Sequence, residues 1–298
     1  MKHIIFQNRL LTGFFLILLS GCMKNPTPKS EQPVRVVSLA PALTEIICAI
    51  GATNYLVGRT SACTWPPERV KDITVIGDFG KPSLEALMMV YPTLELDTGL
   101  ANKSLPRKFA RMGIQHEEIA CKTVTDIPAA IRRIGRLLDH SESANKLASD
   151  IESRLQAMDR QALACTNPPT VYIELWGDPL MTAGRDTFLS EMIRLAGGKN
   201  LGDAAKSGYF KVSSEWVVSR NPDMVICTYK IPEKNPSAWV GTRIGWSNLR
   251  AVRNGAVYRI PNPDVVLRPG PRILQGIEDL QKCIQSHSGT NQTAALKN

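Results

Sequence analysis

The chain has 298 residues, 43% hydrophobic and 21% charged, which is the balance of a folded protein with room for two cores. Lys and Arg outnumber Asp and Glu by 36 to 27, a formal charge of +9. The surplus is spread along the chain and no nucleic-acid motif accompanies it, so nucleic acid is set aside as a partner.

Residues 1–21 read as a secretory signal rather than as fold. Lys2, His3 and Arg9 make a basic start, Leu10 to Leu19 is mostly apolar but too short to span a bilayer, and small residues precede a cleavage point. Leu19-Ser20-Gly21-Cys22 resembles the bacterial lipobox, whose cysteine is lipidated and becomes the first mature residue. Cys22 is therefore the expected membrane anchor, facing the periplasm or the outer cell surface. Residues 22–33, polar and Pro-bearing, are its tether. An oxidising compartment permits disulfides among Cys48, Cys63, Cys121, Cys165, Cys227 and Cys283, and spacing leaves their pairing open. No C-x-x-C occurs, which excludes a zinc ribbon or a thioredoxin-like site.

A first α/β lobe is expected over residues 34–124. Val34 to Leu39 reads as a strand, and Thr44 as the cap of a helix from Glu45 to Ile50 that Gly51 ends. Further strands are read at 55–58, 74–76, 94–96 and 114–119. Ser83 starts a helix over 84–90 that Pro92 closes, and 103–112 is another helix. Residues 125–165 form the helical connector: 125–138, then the uninterrupted run Ser141 to Cys165. In that run Leu147, Ile151, Leu155 and Met158 make one apolar stripe at helical period. A second α/β lobe follows over 166–286, with strands at 171–175, 224–227 and 257–260. Its helices begin at Thr187, at Ser213-Ser214 and at Gly270. Residues 287–298 read as a loose tail. Strands alternating with helices predict two α/β lobes with mainly parallel central sheets, joined by one long helix, with the ligand cleft between them.

An internal repeat supports two similar lobes. Ser83, Glu85 and Pro92 recur as Ser213, Glu215 and Pro222, and Glu45–Gly51 recurs as Glu191–Gly197. In such lobes ligands bind outside the carboxyl ends of the strands.

Signatures of catalysis are weak. No H-E-x-x-H or G-x-S-x-G occurs, and Gly77-Asp-Phe-Gly has too few residues between its glycines to cradle a phosphate. Cys63 with His116, or Glu174, are the candidates for a secreted enzyme; the structural reading of each is preferred, so no catalytic residues, catalytic cofactor or metal site are assigned. What remains is a set of aromatic side chains on loops at strand exits. Trp65, Phe79, Trp176 and Phe210 are expected to clamp a broad ligand, with Ala40, Pro41 and Gly80 beside them.

Arg35-Val-Val-Ser-Leu-Ala-Pro-Ala-Leu-Thr-Glu45, Leu56-Val-Gly-Arg59, Trp65-Pro-Pro67, Pro82-Ser-Leu-Glu85 and Asn221-Pro-Asp223 resemble the helical-backbone class of substrate-binding proteins. That class serves ABC importers of cobalamin, iron siderophores and haem. The resemblance covers about Val34 to Gln285 and is strongest to the cobalamin-binding branch. It implies cobalamin or a related corrinoid as transport ligand, with a ferric siderophore or haem as the alternative. It also implies a monomer that works with a permease dimer and its ATPase, docking through Glu85 and Glu215. Two departures bear on the ligand. Ala196 stands where cobalamin binders carry a cysteine bridged to the last helix, leaving Cys283 without that partner. Arg268, on the expected cleft side, suits a carboxylate-bearing ligand.

Overall fold

The computed structural model describes residues 33–99 and 104–295, so the expected signal, Cys22 and the tether through Gln32 lie outside it. In the first lobe the order is β1 (Val36–Ser38), α1 (Pro41–Ala49), β2 (Leu56–Arg59), α2 (Pro67–Val70), β3 (Thr74–Val75), β4 (Gly77–Asp78), β5 (Lys81–Pro82), α3 (Leu84–Met89), β6 (Leu94–Asp97), α4 (Leu105–Arg111), β7 (Gln115–Glu118) and α5 (Asp126–Leu137). The long helix α6 spans Ser141–Leu163. The second lobe runs β8 (Thr170–Glu174), β9 (Trp176–Gly177), β10 (Leu180–Ala183), α7 (Phe188–Leu195), β11 (Lys199–Asn200), β12 (Tyr209–Lys211), α8 (Ser214–Arg220), β13 (Met224–Cys227), α9 (Pro236–Gly241), α10 (Arg250–Arg253), β14 (Val257–Arg259), α11 (Asp264–Leu267) and α12 (Ile273–Ala295).

Each lobe is built on a parallel sheet, in the order β3-β2-β1-β6-β7 in the first and β11-β8-β13-β14 in the second. Side chains alternate across each sheet as strand geometry requires. Val36, Val171, Ile173, Met224 and Ile226 face one large core that also takes in α1, α5, α6, α7 and α12. Val37 faces a second core under α3 and α4, with Leu87 and Phe109. Tyr172, Val225 and Cys227 face a third, around Trp246. The large core runs unbroken from one lobe to the other. It buries Ala144, Ala148, Ile151, Leu155 and Met158 of α6, while Leu147 is only half-buried, so the stripe is centred slightly off the line read from sequence. Each large aliphatic side chain so buried contributes about 1.5–3 kcal/mol, and α6 is a spine packed against both lobes.

Helix starts follow their caps. Ser83 Oγ accepts from Ala86 N at 3.2 Å, Ser213 Oγ from Trp216 N at 3.2 Å and Thr187 Oγ1 from Ser190 N at 3.1 Å. Two expectations are corrected. Thr44 is no cap: α1 starts earlier, with Pro41 in its first turn, and the buried Thr44 hydroxyl donates to Ser38 Oγ at 2.8 Å. The segment from His287 does not begin a loose tail, because α12 continues to Ala295. Ile277, Leu280, Ile284 and His287 make a buried face at helical spacing, and that face carries the helix past the polar residues that signalled an end. The six described cysteines are unpaired.

An antiparallel sheet, β12-β10-β9, also flanks the cleft side of the second lobe, where only an exit loop was expected. No helix among the described residues is long and apolar enough to cross a membrane.

Candidate ligand cleft between the lobes

In both sheets the strand order reverses beside the first strand, between β1 and β6 and between β8 and β13. Connections leave such a switch point in opposite directions and open a crevice at the carboxyl ends of the strands. The two crevices face one cleft of about 760 Å³, which takes Ala40 and Pro41 after β1, Thr98 and Gly99 after β6, and Leu175 after β8. Its size falls within the usual range for small-molecule sites.

Of the residues expected to bind ligand, Ala40, Pro41, Phe79 and Arg268 line this cleft. Trp65, Gly80, Trp176 and Phe210 are not among its lining residues, and each has a local reason. The Trp65 ring lies 4.6 Å from the Arg272 guanidinium, stacked on the bridge between the lobes. Gly80 supplies the left-handed turn (φ +75°) that points Phe79 from the β4–β5 hairpin. Trp176 is held in β9, its indole donating to the Asp178 carbonyl at 2.7 Å. Phe210 and Tyr209 are consecutive in β12 and so point to opposite faces. Phe210 meets Trp216 edge-on at 6.2 Å, while Tyr209 meets Phe188 at 6.5 Å and both of these line the cleft. Sequence reasoning missed Phe188 and Tyr209. The repeat held the signal for Tyr209: it precedes Ser213 by the same four positions that separate Phe79 from Ser83.

The described charges in the cleft are balanced, Arg268 and Lys122 against Glu118 and Asp186. Arg268 is also committed within the protein: its Nη1 reaches Glu45 Oε1 at 3.3 Å and its Nη2 reaches Asp264 Oδ2 at 2.9 Å. Burial pushes the Cys121 thiol up to about 12 and raises the Tyr209 phenol above its ordinary value, so both stay protonated near neutral pH. The lining is therefore mainly apolar and aromatic, with two basic and two acidic side chains and no thiolate.

The candidates for catalysis are occupied structurally. Cys63 is buried with its sulfur 3.2 Å from Thr60 Oγ1, and His116 Nδ1 pairs with the fully buried Glu95. Glu174, also fully buried, accepts from Arg243 at 2.7 and 2.8 Å and from the Tyr229 hydroxyl. Glu85 and Glu215, by contrast, are exposed in the first turns of α3 and α8. A hydrogen bond with the Ser213 hydroxyl lowers the Glu215 pKa and keeps that carboxylate charged.

Two parallel-sheet lobes packed on one long helix, with a ligand-sized cleft at their switch points, define a two-lobed binding protein. A family model described as periplasmic binding protein matches residues 36–263, and the chain belongs to that family. It is 29% identical over 280 residues to an uncharacterized ABC transporter substrate-binding lipoprotein, YvrC, of Bacillus subtilis, covering 92% of this chain and 87% of that one. It is 29% identical over 221 residues to a vitamin B12-binding protein of Pectobacterium atrosepticum, covering 72% and 78% of the two chains. Among solved structures it is similar to the periplasmic heme-binding protein RhuT from Roseiflexus sp. RS-1 in apo form. That match has a TM-score of 0.76 and 28% identity and covers 86% of this chain and 99% of that one.

Proposed function

We propose that this chain is the substrate-binding lipoprotein of an ABC importer, which captures cobalamin or a related corrinoid in the inter-lobe cleft and delivers it to a permease dimer driven by its ATPase. The observation that carries the ligand assignment is the charge-balanced aromatic cleft, with Phe79, Phe188 and Tyr209 facing it and Arg268 already neutralised by Glu45 and Asp264. Flat, rigid side chains cover a broad partly apolar ring at little entropic cost. A cleft without surplus cations suits a ligand of small net charge better than one bearing several carboxylates. The similarity to a vitamin B12-binding protein supports the same reading.

Haem or a ferric siderophore is the second reading, favoured by the likeness to RhuT. The function is binding and hand-over without chemistry. The signal at residues 1–21 directs export, and lipid on Cys22 holds the protein at the membrane. Replacing Cys22 by Ser then moves it from the membrane fraction to the soluble one. Glu85 and Glu215, one per lobe, are the charges that meet arginines on the two permease subunits. The absorption spectrum of the protein purified from its native host tests the ligand assignment: corrinoid bands support it, and a haem Soret band or a ferric-siderophore charge-transfer band overturns it in favour of the second reading.

A further inference from the structure

Three of the exposed apolar side chains lie on α3 or against the start of α8. Ile244 is 94% exposed, Met89 73% and Met88 43%. Met88 and Met89 follow Glu85 by three and four positions on α3, so they share its face of the helix. The capping serines of α3 and α8, Ser83 and Ser213, each come four residues after a ring that lines the cleft, Phe79 in one lobe and Tyr209 in the other. Glu85 and Glu215 thus follow closely on the β4–β5 hairpin and on β12, which carry Phe79 and Tyr209.

On α8 the position matching Met88 is Val218, which is partly covered rather than exposed. A turn after α9 covers it: a Cβ on Gly245 would lie 3.4 Å from Val218 Cγ2, and the left-handed φ of +81° at Gly245 shapes the turn. The exposed apolar side chain of that turn is Ile244. Its carbonyl accepts from Ser214 Oγ at 3.4 Å, and Ser214 immediately precedes Glu215. The residues one before and two after Ile244 are anchored. Arg243 is held twice by Glu174, and the fully buried Trp246 donates to Ser214 Oγ at 2.5 Å. An aliphatic side chain left in water on so fixed a turn loses little entropy when a partner covers it.

Each lobe therefore presents an exposed glutamate at a repeat-related position with exposed aliphatic side chains beside it, from α3 itself in the first lobe and from the turn after α9 in the second. We propose that Ile244 with Glu215, and Met88–Met89 with Glu85, are two docking knobs that seat on the two equivalent subunits of the membrane permease, the aliphatic groups filling apolar depressions next to the arginines. This inference rests on the permease-docking reading above. Two glutamates at repeat-related positions call for a partner with two like surfaces, and a partner that receives ligand has to approach the cleft. A carboxylate fixes register and speeds encounter, while a buried aliphatic anchor slows dissociation.

The test is photocross-linking in intact cells of the native host, with p-benzoylphenylalanine placed singly at Ile244, Met89, Glu215 and Leu163 of the full chain. Leu163 is 74% exposed at the far end of α6 and serves as the control. No transport ligand has to be known, and the adduct is identified by peptide mass spectrometry. Cross-links to a polytopic permease subunit from Ile244 and Met89 but not from Leu163 are expected. If only Glu215 gives that cross-link, the apolar knobs are disproved while glutamate docking stands. If none of the four reaches a permease subunit, docking by this face is itself disproved. Lipid adducts alone at Ile244 and Met89 would overturn the proposal in favour of a membrane contact.

Discussion

Glu45 of the first lobe is gripped by Arg272 of the second, whose Nε and Nη2 donate to its two carboxylate oxygens at 2.8 and 2.7 Å. The repeat-related Glu191 reaches the other way, its Oε2 accepting from the Val124 backbone N–H at 2.8 Å. Each lobe thus sends one glutamate across to its neighbour. Together with α6 and the core that runs between the lobes, these ties limit how far the cleft can open.

Glu45 is buried, with Arg272 and Arg268 nearly so. Removing the carboxylate strands the Arg272 guanidinium in a low-dielectric setting and leaves Arg268 with Asp264 alone. Glu45→Ala is expected to cost about 3–5 kcal/mol, read as a lowered urea midpoint. Glu191→Ala loses one hydrogen bond to a backbone N–H and is expected to cost about 1–3 kcal/mol. Equal, small losses for both would show that the Glu45 bridge is not structural.

The alternation of β12 makes a paired forecast for the cleft. Tyr209→Ala removes a ring that lines it and is expected to weaken cobalamin binding by about 1–3 kcal/mol, the range for a true anchor. Phe210→Ala removes a ring that packs on Trp216 instead and should lower thermal stability while leaving affinity within about 0.5 kcal/mol of wild type. Calorimetric titration of both variants distinguishes the two faces of one strand; reversed effects would mean the cleft has been assigned to the wrong face.

Burial pushes the Glu95 carboxyl up to about 7, against the opposing pull of His116. The folded value lies above the unfolded one, near 4.5, so folding favours the protonated acid. Its contribution is whole below the unfolded value, erodes as pH rises toward about 7, and is flat beyond. Glu95→Gln removes the burial penalty on the charged carboxylate. The variant should gain stability relative to wild type as pH rises across that window. Urea unfolding at pH steps across it checks this, and parallel profiles would refute it.

Reversing both docking acids, Glu85→Lys with Glu215→Lys, should leave ligand affinity and melting temperature near wild type and abolish uptake. Either single change should be milder, because one lobe still docks. The Ser213 bond to Glu215 makes a capping role the rival account. That account predicts a lowered melting temperature with uptake retained by whatever protein is folded.

Much of this architecture is legible before any coordinates. The stripe of Ile151, Leu155 and Met158 identifies α6, and Ser83 and Ser213 identify the starts of α3 and α8, because helical period and N-capping are local properties. The Glu45–Arg272 bridge spans 227 positions and leaves no local trace. The small antiparallel sheet escaped for a different reason: β9 has two residues and β12 three, too few for alternation to register. The sequence alone points to Phe210 as a loop aromatic and passes over Tyr209 beside it. Only the register of the repeat, or the pleat of β12, separates a ring in the cleft from one behind it.

The central claim, that the inter-lobe cleft binds a corrinoid, is tested most directly by titrating purified, ligand-free protein with cyanocobalamin and, separately, with haemin, and following heat and absorbance. The account predicts saturable one-to-one binding of cyanocobalamin that is weakened by Tyr209→Ala and Phe188→Ala, with haemin bound more weakly. No measurable heat with cyanocobalamin, alongside tight saturable binding of haemin that shifts its Soret band, would contradict it.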